Sequence, residues 1–377
     1  MSIPVKTSIP FMTLDRQVAG LREQIATALQ GVVDSQGFAN GPAVAAFEQE
    51  LARYLGVREA VALNSGTSAL HAALIAAGVQ AGDEVVTVAH TWISTAWAVS
   101  YVGAKPVFVD VDARTCGLDP AELESVLGPR TRAILPVHLY GHPIDLDPVL
   151  ETAARHGIPV IEDCAQSIGA RYKGRMTGAF GLVNATSFYP GKNLGAFGEA
   201  GAVLTNDPAI AARARRLRDH AQDGRHNHVE LGFNWRMDGF QGAILSLKLR
   251  YLDRWNARRS EIAARYREGL ADIEGLTLPS PQPWAEPIWH IFPVYHERRD
   301  ALRAALDQRG VQTSVHYPRP VHLQPVYASL GHGPGSLPVS ERLAATEISL
   351  PMFPELTDLE AEAVVEGVRD ACRSLRP

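Results

Sequence analysis

The sequence predicts an α/β fold built on a mostly parallel sheet, followed by a smaller α+β region. Between about residues 59 and 207, short apolar runs that are nearly continuous in Val, Ile and Leu alternate with helical patterns. Such runs are typical of strands that helices cover on both faces. Repeated strand–helix–strand units favour parallel pairing through right-handed crossovers, with ligands bound at the carboxyl ends of the strands.

The individual elements follow from the same periodicities. The expected strands are residues 85–88, 106–109, 133–137 and 158–161, and the helices between them are 94–102, 120–127 and 146–156. Further along, 241–270, 298–310 and 358–375 are predicted as helices, 291–295 and 314–317 as extended segments, and 279–287 as a Pro-rich connection. We therefore expect a large domain over residues 1–250 and a small C-terminal α+β domain over 251–377.

The composition excludes several classes of protein. Of 377 residues, 46% are hydrophobic and 20% charged, and 36 basic against 41 acidic side chains give a formal charge of −5. Such a chain is poorly suited to nucleic acid, which needs many basic phosphate contacts. Apolar runs fall short of the roughly 18–20 residues of a membrane span, and residues 1–11 lack a signal pattern. Three scattered cysteines indicate a reducing compartment, so we expect a cytoplasmic protein.

Two polar segments follow strand-like runs in the first part of the sheet. Residues 64–70 open a helix with small hydroxyl and glycine residues, whose free N–H groups suit a phosphate. A Ser or Thr helix cap without a ligand is the alternative. Glu162 and Asp163 end an apolar run, and a buried carboxylate needs a partner such as a protonated pyridine nitrogen. A structural Asp that caps the next helix is the alternative there.

A third segment carries a lysine, and a fourth opens a helix. Lys192 lies between Gly191 and Asn193, and a lysine near apolar or cationic groups can lose its proton and form a Schiff base. Ser187 precedes it by five residues and is in reach of the same ligand, although a solvated loop lysine is the alternative. Residues 232–238 are explained equally by ligand contacts and by a turn before a helix. A phosphate site, an aspartate and a lysine are together the groups that a protein needs to bind pyridoxal phosphate.

The motifs also carry a family resemblance. They are Asn64-Ser65-Gly66-Thr67, Glu162-Asp163-Cys164-Ala165-Gln166, the segment 187–195, Asn234-Trp235-Arg236-Met237-Asp238 and His316-Tyr317-Pro318. With them the chain resembles the DegT/DnrJ/StrS aminotransferases, the nucleotide-sugar branch of the fold-type-I pyridoxal-phosphate enzymes, from about Asp34 to Met352. The resemblance implies an aspartate aminotransferase-like fold, pyridoxal phosphate as cofactor, pyridoxamine phosphate as its aminated form, and a homodimer with shared active sites.

The resemblance implies a role for each matching residue. Lys192 would hold the cofactor and move the proton, Asp163 would pair with the ring nitrogen, and Gln166 would bind the phenolic oxygen. Gly66, Thr67 and Ser187 would hold the phosphate. Asn234 would reach the phosphate of the neighbouring subunit. Trp92 would stack on the ring, with simple core packing as the alternative. The amino donor would be L-glutamate and the acceptor a nucleotide-linked keto-sugar (dTDP, UDP or GDP).

The sugar carbon and the substrate contacts are less specified. Branches that act on 4-keto sugars often carry a histidine where this chain has Tyr189, so the resemblance favours amination at C3, with C4 as the alternative. Tyr189, His316 and Tyr317 are the expected sugar contacts, and ordinary packing is the alternative for each. Arg236, Arg319 and His322 are further residues suited to a diphosphate.

Other readings of the sequence are weaker. His138 and His142 are four apart, but Gly141 and Pro143 argue against a helical metal site, so we expect no metal. The glycines of 195–201 have the wrong spacing for a dinucleotide loop. A sensor or regulatory protein that binds pyridoxal phosphate without catalysis is the remaining alternative. The complete set of Asp163, Gln166, Ser187, Lys192 and Asn234 favours an enzyme.

Overall fold

The computed structural model describes residues 8–375. Residues 1–7, which belong to the N-terminal segment predicted to lack a signal pattern, lie outside the described residues, as do residues 376–377. The helices are α1 (Asp15–Ser35), α2 (Gly41–Leu55), α3 (Gly66–Ala76), α4 (Ser94–Tyr101), α5 (Leu123–Val126), α6 (Leu146–His156), α7 (Pro208–Arg218), α8 (Gly239–Leu249), α9 (Leu252–Leu270), α10 (Arg299–Gln308), α11 (Pro338–Thr346) and α12 (Asp358–Ser374). The strands are β1 (Glu59–Leu63), β2 (Glu84–Val88), β3 (Lys105–Val109), β4 (Thr131–Leu135), β5 (Arg171–Tyr172), β6 (Arg175–Met176), β7 (Val183–Ser187), β8 (Gly201–Thr205), β9 (Ala285–Glu286), β10 (Phe292–Tyr295) and β11 (Glu347–Leu350).

The central sheet is mostly parallel, as the sequence predicts. β2 pairs in parallel with β3 on one side and β4 on the other, while β8 lies antiparallel between β7 and β1. Parallel bridges from Ile134 to Val160, Val137 to Asp163 and Asp163 to Ala185 join the two halves. The resulting order is β3-β2-β4, the segment around Val160 and Asp163, then β7-β8-β1. Because these strands are buried along most of their length, they carry apolar residues on both faces.

Two predicted elements differ from the observed ones. Residues 158–161 form one bridge, at Val160, rather than a full strand, in part because Pro159 has no N–H to donate to a ladder. The predicted helix 241–270 is two helices, α8 and α9, separated at residues 250–251. α8 packs against α1 and α2 whereas α9 packs against α12, so the chain must change direction between them.

The C-terminal part has its own apolar cluster. β10 and β11 form an antiparallel pair, and α9, α10 and α12 pack around it. Helix α9 contributes to two clusters, since Leu252 packs with the sheet helices and Ile262 with the C-terminal group. Ile9 joins the second cluster by a parallel bridge to Val311. The domain boundary near residue 250 stays a prediction.

None of the helices within residues 8–375 combines the length and the apolar character needed to cross a lipid bilayer.

Candidate active site

One cavity of about 670 Å³ gathers most of the residues that the sequence singles out. It lies where β1, β7 and the segment ending at Asp163 deliver their carboxyl ends, and the C-terminal part closes it from the other side. The predicted residues that line it are Gly66, Thr67, Trp92, Asp163, Gln166, Ser187, Tyr189, Lys192, His316 and Tyr317. Asn234 is exposed and lies outside this cavity.

The N-terminus of α3 forms one wall. β1 ends at Leu63, and Ser65 caps the helix by accepting a 3.0 Å hydrogen bond from the Ser68 N–H. The N–H groups of Gly66 and Thr67 belong to the first turn, which has no acceptors within the helix and carries the positive end of its dipole. A Cβ on Gly66 would lie 2.6 Å from the Ser187 Cβ, so only glycine permits this approach. The helix end and the Ser187 hydroxyl therefore form a small cradle suited to an anion.

Asp163 lies at the floor of the cavity with 3% of its surface exposed. Its Oδ2 accepts a 2.8 Å hydrogen bond from the Thr95 hydroxyl, and its Oδ1 accepts one of 3.1 Å from the Ala165 N–H. Burial raises the pKa of Asp163, while these bonds and the nearby Lys192 ammonium oppose that rise. A buried carboxylate facing a cavity is therefore ready to bind a cation there.

The neighbouring Glu162 points the other way and supports the floor. Its carboxylate accepts hydrogen bonds from the backbone N–H groups of Gly178, Phe180 and Gly181, and lies 3.0 Å from His138 Nε2. Ligand atoms of His138, Glu162 and Cys164 come within 4.8 Å of one another. The hydrogen bonds already engage both oxygens of Glu162, which makes the group a structural network. His142 is not part of it.

Lys192 enters the cavity from the loop after β7. The backbone N–H of Lys192 donates a 2.8 Å hydrogen bond to the Tyr189 carbonyl, and the Lys192 side chain is half-buried. Burial lowers the pKa of Lys192 to about 8, although the Asp163 carboxylate opposes the change. An amine with that pKa is neutral in a useful fraction of molecules near neutral pH and can act as nucleophile, base and acid.

Asn193 anchors the lysine loop. Its side-chain amide donates to Asn256 Oδ1 at 2.8 Å and to the Ile288 carbonyl at 3.1 Å. His290 Nδ1 lies 3.1 Å from Asn193 Oδ1, and His290 itself lines the cavity. Because Asn193 follows Lys192 directly, these bonds hold the lysine in place.

Aromatic and amide groups form the remaining walls. Trp92 is 54% exposed, so it faces the cavity rather than the core, and its ring centroid lies 5.3 Å from that of Tyr317. Gln166 Oε1 accepts from the Tyr140 N–H at 2.7 Å, and Gln166 Nε2 donates to the Tyr317 hydroxyl at 3.2 Å. An amide nitrogen carries two hydrogens, so one remains for a ligand. Tyr189 is also 54% exposed.

Several lining residues escape prediction from the sequence. Phe11 and Met12 reach the cavity from the N-terminal segment, and His290 reaches it from the residues just before β10. Thr95 follows the predicted residue Trp92 by three positions, and this closeness in the chain is the one sequence signal for it. For Phe11, Met12 and His290 the sequence holds no local signal, since only the fold brings them to Lys192.

Two of the residues suited to a diphosphate have other partners. Arg236 pairs with Asp219 at 3.0 Å and donates to Asn234 Oδ1 at 2.9 Å. His322 is 1% exposed and lies 3.2 Å from Glu341, away from the cavity. Within residues 8–375, no arginine lines the cavity.

Comparison with known proteins agrees with this geometry. Residues 20–369 match the DegT/DnrJ/EryC1/StrS aminotransferase family. The chain is 48% identical over 361 residues to the erythromycin biosynthesis sensory transduction protein EryC1 of Saccharopolyspora erythraea, covering 96% of this chain and 99% of that protein. It is 47% identical to the dTDP-3-amino-3,4,6-trideoxy-alpha-D-glucose transaminase of Streptomyces venezuelae, covering 96% of each.

A solved structure resembles the whole chain. The crystal structure of S. venezuelae DesV in complex with a ketimine intermediate superposes with a TM-score of 0.96 at 46% identity. The match covers 98% of this chain and all of that one.

Proposed function

Because the chain belongs to the DegT/DnrJ/EryC1/StrS aminotransferase family, we propose that it transfers an amino group from glutamate to C3 of a nucleotide-linked keto-deoxysugar. It is an aminotransferase with a fold-type-I architecture, and the family uses pyridoxal phosphate. The cavity around Lys192 and Asp163 is the site where the reaction would take place.

The described residues fit that cofactor. The α3 cradle at Gly66, Thr67 and Ser187 suits its phosphate, because a side chain on Gly66 would fill the space beside Ser187. The buried Asp163 suits its ring nitrogen, and the exposed Trp92 suits the face of a flat ring. When bound, pyridoxal phosphate supplies an electron sink for the carbon that loses its proton.

Lys192 and Asp163 would perform the two chemical tasks of the protein. Lys192 would hold the cofactor between turnovers and, once released, would take the proton from the amino donor and return one to the new C–H centre. Its pKa of about 8 supports this exchange, since both protonation states are accessible. Asp163 would keep a positive charge on the ring nitrogen, and the Thr95 hydroxyl would hold Asp163 ionised. The spare N–H of Gln166 would bind the phenolic oxygen.

The sugar would occupy the side of the cavity formed by Tyr189, His316 and Tyr317. The relative from S. venezuelae is named as a transaminase for a 3-amino sugar, and Tyr189 stands where 4-keto branches often carry a histidine. These two observations support C3 over C4. Tyrosine hydroxyls and an imidazole suit the hydroxyl and diphosphate oxygens of a nucleotide sugar.

We also propose that the enzyme works as a homodimer. Asn234 is exposed and does not line the cavity of its own chain, which suits a residue that completes the neighbour's phosphate site. Trp97, Tyr101 and Leu231 are exposed apolar side chains suited to an interface. The reaction would take place in the cytoplasm, in keeping with the buried thiols of Cys116 and Cys164.

The convergence of Lys192, Asp163 and the α3 cradle in one cavity carries the proposal. The test is to incubate the enzyme with glutamate and nucleotide-linked 3-keto or 4-keto sugars, and to detect the amino sugar by mass spectrometry. The 3-keto sugar should gain the nitrogen of ¹⁵N-labelled glutamate. If only the 4-keto sugar were aminated, the carbon that receives the amino group would be C4 and not C3.

A sensor that binds the cofactor without turnover is the second candidate, because EryC1 is named as a sensory transduction protein. A sensor would bind the cofactor at Lys192 and leave glutamate unchanged. Release of 2-oxoglutarate from glutamate, measured stoichiometrically with the enzyme, separates the two functions.

A further inference from the structure

His316 is held from behind by two residues of β11. Its Nδ1 lies 2.7 Å from the Ser349 hydroxyl oxygen, which lies 2.5 Å from Glu347 Oε1. The backbone N–H of His316 donates to Glu347 Oε2 at 2.7 Å. The Tyr140 hydroxyl donates to the His316 carbonyl, which fixes the same segment from the other side. Since Nδ1 is engaged behind the ring, Nε2 is the nitrogen left for the cavity that His316 lines.

Because the Ser349 hydroxyl has a single proton, the protonation state of Glu347 decides which nitrogen of a neutral His316 carries its proton. If Glu347 is ionised, Ser349 must donate to it, so His316 must carry a proton on Nδ1 to complete the chain. If Glu347 is a neutral acid, its proton goes to Ser349 and the Ser349 proton goes to Nδ1. A neutral His316 then carries its proton on Nε2.

The surroundings favour the neutral acid. Glu347 and Ser349 are completely buried, and burial raises the pKa of Glu347 to about 8. Burial and the Lys192 charge lower the pKa of His316 to about 4, so the imidazole is neutral at pH 7. Arg299, which favours an ionised Glu347, pairs instead with Asp300 at 2.8 Å. The other titratable groups facing the pair are Arg303, Tyr140, Tyr295, Cys116, Tyr317 and His290.

We propose that Glu347, acting through Ser349, is a positioning residue that places the imidazole proton of His316 on Nε2 and makes it a hydrogen-bond donor toward the substrate. The acceptor would be an oxygen of the sugar or its phosphates, a point that rests on the proposed function. The relay itself stands on contacts within this chain.

The test is the tautomer of His316 in the holoenzyme labelled with ¹⁵N-histidine, with the resonance assigned by its loss in His316→Gln. In the wild type, His316 should be the Nε2–H tautomer at pH 7 and should move toward Nδ1–H as the pH rises through about 8. Glu347→Gln should hold the Nε2–H tautomer throughout, because the backbone N–H of His316 needs the amide oxygen as its acceptor, which leaves the NH2 group to donate to Ser349. An Nδ1–H tautomer at pH 7, or the same pH course in Glu347→Gln, would overturn the proposal.

Ser349 offers a second route if Glu347→Gln does not fold. Ser349→Ala should abolish the pH response of the tautomer, whereas Ser349→Thr should restore it. For the sugar, Ser349→Ala should lower kcat/KM about tenfold through one lost hydrogen bond. A pH response that survives in folded Ser349→Ala would contradict the relay. The resonance can be measured without any sugar, so failure of the proposed function leaves this test intact.

Discussion

The Thr95 hydroxyl donates a 2.8 Å hydrogen bond to Oδ2 of Asp163, and joins the first turn of α4 to the floor of the cavity. The two residues are 68 positions apart in the chain. Burial raises the pKa of Asp163, and this bond works against that rise. Thr95 thus helps to keep the carboxylate ionised at the place where we propose that the ring nitrogen of the cofactor binds.

Replacing Thr95 tests this contribution. Thr95→Val keeps the shape of the side chain but removes the donor, so we expect the pKa of Asp163 to rise and the cofactor to bind about tenfold more weakly. Thr95→Ser keeps the hydroxyl and should bind as the wild type does. The measurement is the Kd of the cofactor by absorbance titration. Equal affinity in the Val and Ser variants would show that the bond is unimportant.

Loss of Lys192 should abolish turnover. Lys192→Ala removes the group that we propose attaches the cofactor and moves the proton, so steady-state transamination should fall by more than about a thousandfold. Lys248→Met is the matched control, because burial also lowers the pKa of Lys248 to about 8 but its ammonium bonds the Gly195 carbonyl at 2.5 Å outside the cavity. The control should lose stability and keep cofactor attachment. Turnover at the wild-type rate in Lys192→Ala would contradict the role proposed for Lys192 in attaching the cofactor and moving the proton.

Asp163→Asn should leave the fold intact and slow both halves of the reaction by roughly a thousandfold, because a neutral amide stabilises the ring-nitrogen cation far less. The matched control is Asp110→Asn, since Asp110 is also buried after a strand but accepts bonds from the start of α11 at 2.8 Å. Single-turnover rates and thermal unfolding separate the two variants. Asp110→Asn should mainly lower Tm. Comparable rate losses in both variants would argue against the pairing of Asp163 with the ring nitrogen of the cofactor.

The buried Glu347 should make stability depend on pH. Its pKa rises from 4.5 to about 8 on folding, so the folded chain holds a proton that the unfolded chain releases across that window. The free energy of unfolding should therefore fall as pH rises from 4.5 to 8, by up to about 5 kcal/mol from this group. Glu347→Gln has no carboxyl group at this position, so its stability should lack this pH-dependent contribution. Urea unfolding of both proteins at pH 5 and pH 8 measures the difference, and parallel pH dependences would contradict it.

A mixing experiment tests whether active sites are shared between subunits. Lys192→Ala and Asn234→Ala homodimers should each be nearly inactive if Asn234 completes the neighbour's site. Mixed dimers would carry one site with both defects and one intact site, so equal mixtures should recover about a quarter of wild-type activity. Absence of recovery, with mixed dimers demonstrated by mass spectrometry, would place both residues in one site.

The sequence predicts the sheet well where packing is local. β2, β3, β4 and α6 follow from apolar runs and helical spacing because helices cover both faces of the sheet. Residues 158–161 follow the same pattern but make only one bridge, at Val160, because Pro159 has no N–H to donate and an apolar pattern does not show that loss. The break between α8 and α9 depends on which helices each one packs against, which spacing along the chain does not encode.

The site divides in the same way. Gly66, Asp163 and Lys192 are predictable because chemically distinctive residues follow strands of a parallel sheet, where ligands bind. Glu347 and Ser349 are not, since a Glu and a Ser at alternate positions of an ordinary strand carry no signal of their own. Only the docking of β11 behind His316 gives them a role.

The most direct test of the proposed transamination is the visible absorbance of the holoenzyme, followed while glutamate is added and then replaced by a nucleotide-linked 3-keto sugar. We predict that glutamate bleaches the cofactor band and that the 3-keto sugar restores it in one turnover. A band that no amino donor changes would contradict the assignment as an aminotransferase, and recovery with the 4-keto sugar alone would contradict amination at C3.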